Sequence, residues 1–388
     1  METSNYDERV CICTLNRVFG FEPKLGIRLI DYFGCASGVF EHPDETARLL
    51  EYSAKYLPFL KDESLEQSRL ELNRLQELGC RFTGINEDGY PPLLKEIADP
   101  PMGLYFRGTS PVEEVLGKVP AIAIIGTRDL TEYGREWCWK IVEAFSRCKT
   151  KPLVVSGFAL GVDIAAHQAA LRYGLPTVGV LPTGIDDVYP YQHRGMAEKV
   201  SQTPGCGMIT DYPPGTVPLK INFLRRNRII AGMSRATIIV ESKEKGGGMM
   251  TARLAWSYER DVFALPGRLD DVRSGGCNVL IGEKIADPIF SLDALSEALQ
   301  LGGADAAASE EDLRRRVLDT FRETYGQETA SQMADIAQAI RKRRQITVEE
   351  IAVETGLDYQ TARSHTSIME LEGLIGIDLL QRCSLRRK

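Results

Sequence analysis

"AIAIIGTRDLTEYG", Ala121 to Gly134, opens with five apolar residues in a row, breaks at Gly126 and then turns polar. A strand with one wet face alternates apolar and polar side chains. An unbroken apolar run that ends in a glycine turn instead fits a strand covered on both faces. The same texture returns in "PLVVS" (152–156), "TVGVL" (177–181), "MIT" (208–210), "TIIVE" (237–241) and "VFALP" (262–266), with helix-length segments between them. Continuous apolar strands alternating with helices make βαβ units, so the expected fold class is α/β with a mostly parallel sheet.

Working outward, the 388 residues exceed one ordinary core and divide by texture into three blocks. Residues 1–75 are rich in Leu, Glu, Arg and Lys, and "FEPKLGIRLIDYFG" and "LEQSRLELNRLQELG" carry helical spacing. "VFGFEP" lacks the glycine-hydrophobic-glycine hairpin that would bring backbone N–H groups to phosphate, so a helical packing module is expected there. The sheet block covers 79–298. "LQLGGADAAASEED" (299–312) reads as a small-residue, acidic linker, and 313–388 form a third block. There "ITVEEIAVETGLDYQTARSHTSIMELEGLIG" (346–376) has a helix-turn-helix rhythm with Gly356 at the turn, and "LEGLIGIDLL" fits the short strands of a winged helix. Its second helix carries Arg363 and His365 but also Glu370, so protein contact and duplex binding stand equally open. The basic runs "RKRR" (341–344) and "LRRK" (385–388) read as solvated charge.

Composition narrows the function. A hydrophobic fraction of 43% and a charged fraction of 26% are those of a soluble globular protein. No apolar stretch approaches a membrane span, and the N-terminus lacks a signal-peptide core. Nine cysteines without a CxxC pair, and four dispersed histidines, make no zinc framework; reduced thiols in a cytoplasm are expected. G-x-x-x-x-G-K-[ST] and G-x-G-x-x-G are both missing, which argues against P-loop hydrolysis and a dinucleotide; no cofactor or metal is expected.

The net charge is −7, yet between Asp211 and Glu241 there is no acidic residue, while Lys220, Arg225, Arg226, Arg228 and Arg235 all fall there. That window faces an anion. Three strands also end in glycine turns: Gly126 with Arg128 two residues on, Gly157 and Gly161, and Gly246, Gly247 and Gly248. Ligands of open α/β sheets bind at these strand ends, where helix N-termini offer free N–H groups. Asp163 and His167 are four apart on one helix face, a pairing that more often holds a turn than performs catalysis. No G-x-S-x-G elbow or paired carboxylates adjoin the turns, so the pocket has donors for charge but no evident general base.

In order, "IIGTR…YG", "SGFALGVDIAAH", "LPTGIDDVYP", "NFLRRNRIIAGMS", "VESKEKGGGMMTARLA" and "DVFALPG…GGCNVLI" resemble the DprA/Smf family of DNA-processing proteins, with the lead-in "YPPLLKEIADPPMGLYFRG". The resemblance implies an extended Rossmann-like domain, flanked by a helical SAM-like N-terminal domain and a winged-helix-like C-terminal one. It implies a dimer that binds single-stranded DNA without enzymatic turnover and helps load the recombinase RecA onto incoming strands in natural transformation. By motif, Arg128 would contact phosphate, with Gly157 in the second turn and Gly246, Gly247, Gly248 and Thr251 in the last. Lys220, Phe223, Arg226, Asn227 and Arg228 would line the strand's path, Phe223 offering a ring for stacking. The chain departs from the family at Leu224, where a proline is usual, in the missing hydroxyls of the last turn, and in "YPYQHRG". Hydrolytic relatives of the same fold, which process nucleotides and phosphosugars, are the alternative. Their catalytic glutamate would fall on Leu254, which cannot serve as a base.

Overall fold

The computed structural model describes residues 7–117, 120–302, 306–342, 346–378 and 382–385. All six apolar runs are strands of one sheet: β1 Cys80–Gly84, β2 Gly103–Arg107, β3 Ala121–Ile125, β4 Leu153–Ser156, β5 Thr177–Val180, β6 Gly207–Thr210, β7 Ala236–Ile239, β8 Asp261–Ala264 and β9 Asp287–Pro288, with β3 to β8 corresponding to the runs. Their order is β1-β2-β6-β5-β4-β3-β7-β8-β9. Pairs from β6 through β9 are parallel, while β1 pairs with β2, and β2 with β6, antiparallel. The chain runs from β3 outward to β6 and then crosses to β7 on the other side of β3. That puts the topological switch point between β3 and β7, where such sheets bind ligands.

The period of two along β3 divides the core. Ala121, Ala123 and Ile125 pack on one face with Val155, Val178, Ile229, Ile230 and Ala252. Ile122 and Ile124 pack on the other with Ile141, Phe145, Ala165 and Ile238. The N-terminal helices, among them Glu8–Val18 and Asp62–Glu77, share a third cluster with the sheet. In it Ile12, Leu15 and Leu75 meet Phe82, Tyr105 and Met208. Buried Asn16 reinforces the join, donating to the Asp211 carbonyl at 3.0 Å and accepting from the Gly103 amide at 3.2 Å. Residues up to Leu301 accordingly form one compact unit, and those from Gly302 a second.

In the second unit, the helices Ala306–Tyr325, Gln327–Lys342, Val348–Thr355 and Tyr359–Leu371 accompany β10 Ile346–Thr347, β11 Ile375–Ile377 and β12 Arg382–Leu385. The strand order is β10-β12-β11, antiparallel. Thr347 and Glu350 form a capping box, Gly356 takes the left-handed conformation (φ 69°), and Asp358 caps the next helix through the Thr361 amide. Glu370 accepts from the Ile377 amide at 3.1 Å, so the charge that offsets Arg363 and His365 is held within the unit. The first helix starts at Ala306, inside the stretch read as linker. The basic run 341–344 and the end of 385–388 lie outside the residues whose side chains are described.

Candidate nucleic-acid interface

The three glycine turns follow β3, β4 and β7, which are neighbours in the sheet, so all three open on one edge. They are laced together by backbone. The Thr127 amide donates to the Glu241 carbonyl at 2.7 Å, and the Val162 amide to the Thr127 carbonyl at 3.1 Å. A side chain at Gly126 would stand 2.5 Å from Val162 Cγ2 and 2.6 Å from the Glu241 oxygen, so only glycine lets these turns close. Glu241 itself is fully buried at the switch point. Its carboxylate accepts from the Thr131 amide at 3.0 Å and from the Thr131 hydroxyl, and Thr131 caps helix Glu132–Ser146. Glu241 is thus an anchor for that helix. Sequence reading missed it.

The basic window is the helix Lys220–Met233, and its arginines have three different fates. Arg225 donates to the carbonyls of Gly20 and Phe21, with its guanidinium 4.2 Å from the Phe21 ring centroid. Arg226 is only 3% exposed and donates from Nη1 to the Val180 carbonyl at 2.9 Å. Burial lowers its pKa to about 10, with Asp163 opposing that fall, so it stays charged at neutral pH. Arg228, like Arg226 expected to line the strand's path, is buried. It points inward, with Nη2 2.6 Å from Asp211 Oδ2 and Nη1 2.7 Å from the Asp99 carbonyl. A buried guanidinium needs a partner, and the buried Asp211 just after β6 supplies it.

Gly157 is matched to Arg226: an added Cβ would lie 1.9 Å from Arg226 Nη1 and 2.6 Å from Asp163 Oδ2. Gly157→Ala is therefore expected to displace the guanidinium and cost about 1–3 kcal/mol by overpacking, readable as a lowered thermal midpoint. The next residue, Phe158, is buried at φ 60°, a left-handed conformation that costs on the order of 1–3 kcal/mol. Its carbonyl lies 2.9 Å from His193 Nδ1, and its ring centroid is 4.7 Å from that of His167. Asp163 accepts from the Ala159 amide at 3.3 Å, and burial raises its pKa, against the charge of Arg226. His167 lies 2.7 Å from the Thr177 hydroxyl, and burial lowers its pKa to about 3. Both side chains hold the turn and the neighbouring strand.

What remains at the surface is compact. Arg128 is exposed, with its guanidinium 5.4 Å from the centroid of the half-buried Phe223. Lys220 is exposed at the start of the helix, and Asn227 is half-buried. In the last turn Gly247 is exposed, Gly246 half-buried and Gly248 buried. Thr251 is buried, with its hydroxyl 3.4 Å from the Gly247 carbonyl, and is thus turned toward its own helix. Leu254 packs against the core. Beside Phe223 stands Tyr189, its ring centroid 5.5 Å away. The loop after β5 brings it there, and the sequence alone did not single it out. A separate cleft of about 860 Å³ lies along β1, lined by Arg9, Leu75, Phe82 and Glu87 among others, and touches none of these turns.

The model of the family "DNA recombination-mediator protein A" matches residues 81–300, more than half of the chain. The chain belongs to this family. A curated member, "Protein Smf" of Synechocystis, is 40% identical over 211 residues. The match covers 54% of this chain and spans only 52% of that protein. Among solved structures, DNA processing protein A (DprA) from Streptococcus pneumoniae superposes with a TM-score of 0.56 at 27% identity, covering 72% of this chain and 93% of that one. DNA processing protein A from Helicobacter pylori, described for its single-stranded DNA binding mode, gives 0.50 at 30% identity over 56% of this chain and 95% of its own. Among the described residues no helix is long and apolar enough to cross a membrane.

Proposed function

We propose that this member of the family binds single-stranded DNA on the edge where the three glycine turns open, and acts there as a recombination mediator. The observation that carries the reading is the exposed Arg128 beside the Phe223 ring, at the strand ends where the three glycine turns open. Arg128 and Lys220 engage phosphates, Gly157 and Gly246 to Gly248 let the strand approach the backbone, and Phe223 stacks on a base. Asn227 lies on the same helix as Lys220 and Phe223 and is half-buried. Arg226 supports the site from behind Gly157.

In this reading the chain works in the cytoplasm as a homodimer, without cofactor or turnover, and hands the strand to RecA during transformation. The segment 313–388 serves as a winged-helix-like module. Leu254, packed where hydrolytic relatives would carry a glutamate, supports binding over catalysis.

Titration of labelled oligo-dT and of the matching duplex at rising salt tests this. Expected are a single-strand preference and a log–log salt slope that flattens by about 0.7 in Arg128→Ala. Phe223→Ala should weaken binding by about 1–3 kcal/mol. Equal affinity for duplex, or none for either, would sink the reading.

A further inference from the structure

Five exposed or half-exposed side chains are joined by successive contacts that begin at Arg128 in the first glycine turn. The Arg128 guanidinium is 5.4 Å from the Phe223 ring centroid, and Phe223 is 5.5 Å from Tyr189. Tyr189 is 6.0 Å from Tyr191, and the Arg194 guanidinium lies 4.5 Å from the Tyr191 centroid. Tyr189 is 36% exposed and Tyr191 55%. A single exposed tyrosine needs no explanation. A run of rings that starts at the candidate stacking residue and is closed at both ends by guanidinium groups does.

Two acids lie in the same loop. Asp186 accepts from the Gly215 amide at 2.9 Å, and Asp187 accepts from the Val188 amide at 2.8 Å. Asp187 also holds Arg194 at 3.2 Å, which fixes the guanidinium beside Tyr191. The series therefore has a guanidinium at each end, the Arg194 one ion-paired to Asp187, and aromatic rings between them.

The spacing selects the ligand. Neighbouring rings are 5.5 and 6.0 Å apart, and their planes are turned 78° and 71° from parallel. Bases in a duplex follow one another at about 3.4 Å and lie parallel. Bases locked in a duplex stack cannot leave it to meet rings set at such angles, whereas an unpaired strand can turn each base onto the free face of a ring.

We propose that Tyr189 and Tyr191 continue the stacking surface that Phe223 begins, so that consecutive unpaired bases pass along three rings while Arg128 and Arg194 take phosphates at the two ends. This rests on the single-strand reading above and assigns it a direction across the surface, from the β3 turn toward the loop after β5.

The test uses the full chain and fluorescein-labelled oligo-dT of graded length. Tyr191→Ala should weaken binding roughly 5- to 150-fold, and affinity should stop rising at a shorter oligonucleotide. Tyr191→Phe, which keeps the ring, should behave as the parent, and Arg194→Ala should flatten the salt slope by about 0.7. Because Tyr191 is exposed, an unchanged thermal midpoint shows that the variants are folded. If Tyr189→Ala and Tyr191→Ala both keep the parent's affinity and length dependence while Phe223→Ala loses affinity, the continuation is wrong and the single-strand reading stands. Equal losses in Tyr191→Phe and Tyr191→Ala would assign the effect to the hydroxyl and also overturn it. If the unsubstituted chain does not bind the oligonucleotide, the parent reading fails and takes this one with it.

Discussion

Asp211→Ala is expected to destabilise the chain by about 3–5 kcal/mol, visible as a large fall in the urea midpoint with little change in slope. Both side chains of the Arg228–Asp211 pair are 5% exposed and they meet at 2.6 Å. Removing the carboxylate leaves a buried guanidinium whose next acid, Asp99, is 3.7 Å away and one-third exposed. A surface pair such as Arg253–Glu283, with both partners nearly half exposed, should be worth no more than about 1 kcal/mol, so Glu283→Ala is the control. Replacing both partners, Arg228→Met with Asp211→Leu, should recover much of the loss, since the desolvation of two charges goes with them. That double variant also decides what Arg228 does. If it folds and binds oligo-dT as the parent does, Arg228 is structural. If it folds and binds poorly, Arg228 belongs on the phosphate path after all.

The fate of Arg228 shows where the sequence stops being legible. That Lys220–Met233 is a helix anchored by Ile229 and Ile230 could be read from its spacing, and so could a surplus of positive charge. The direction of each charge could not. The groups that turn Arg228 inward lie 129 and 17 residues away in the chain, and they meet it only because β6 and the loop before β2 converge on this helix. Strands β3 to β8 were legible for the opposite reason, since a strand buried on both faces writes its burial into every residue. β1 was not, because its exposed Arg81 interrupts the run, and β9 has only two residues.

The stretch read as linker contains the boundary between the two units, but a helix starts within it. Its alanines and glutamates are strong helix formers as well as small or acidic, and a helix begins among them at Ala306. In the candidate site, the glycine turns showed because each follows its strand directly. Tyr189 and Tyr191 did not, because the sheet order, with β5 two places from β3, is what brings their loop toward Phe223. Glu241 looked like the polar end of a strand, and only its contacts with Thr131 reveal it as the fixing point of the next helix.

A second large effect should appear on acidification. His167 is fully buried, and its Nδ1 lies 2.7 Å from the Thr177 hydroxyl. Burial, reinforced by nearby His193 and Arg226, brings its pKa down from 6.5 to about 3. The folded state therefore refuses a proton that the unfolded chain accepts below about pH 6.5, so stability falls with pH from there until the folded ring also protonates near 3. At pH 5 the loss from this one group should be about 2 kcal/mol. Asp163, whose pKa burial raises, acts in the opposite direction, since a carboxyl that takes up its proton more readily in the folded state favours that state as pH falls. The overall pH profile therefore mixes the two, and the informative quantity is the difference between the parent and His167→Asn. Urea unfolding of both at about pH 7.5 and about pH 5 should show the parent losing about 2 kcal/mol more than the variant over that interval. Identical losses would mean that the ring keeps an ordinary pKa. In that case it must reach water or a proton-accepting partner, and the packing of Phe158 against it would be looser than a 4.7 Å ring contact allows.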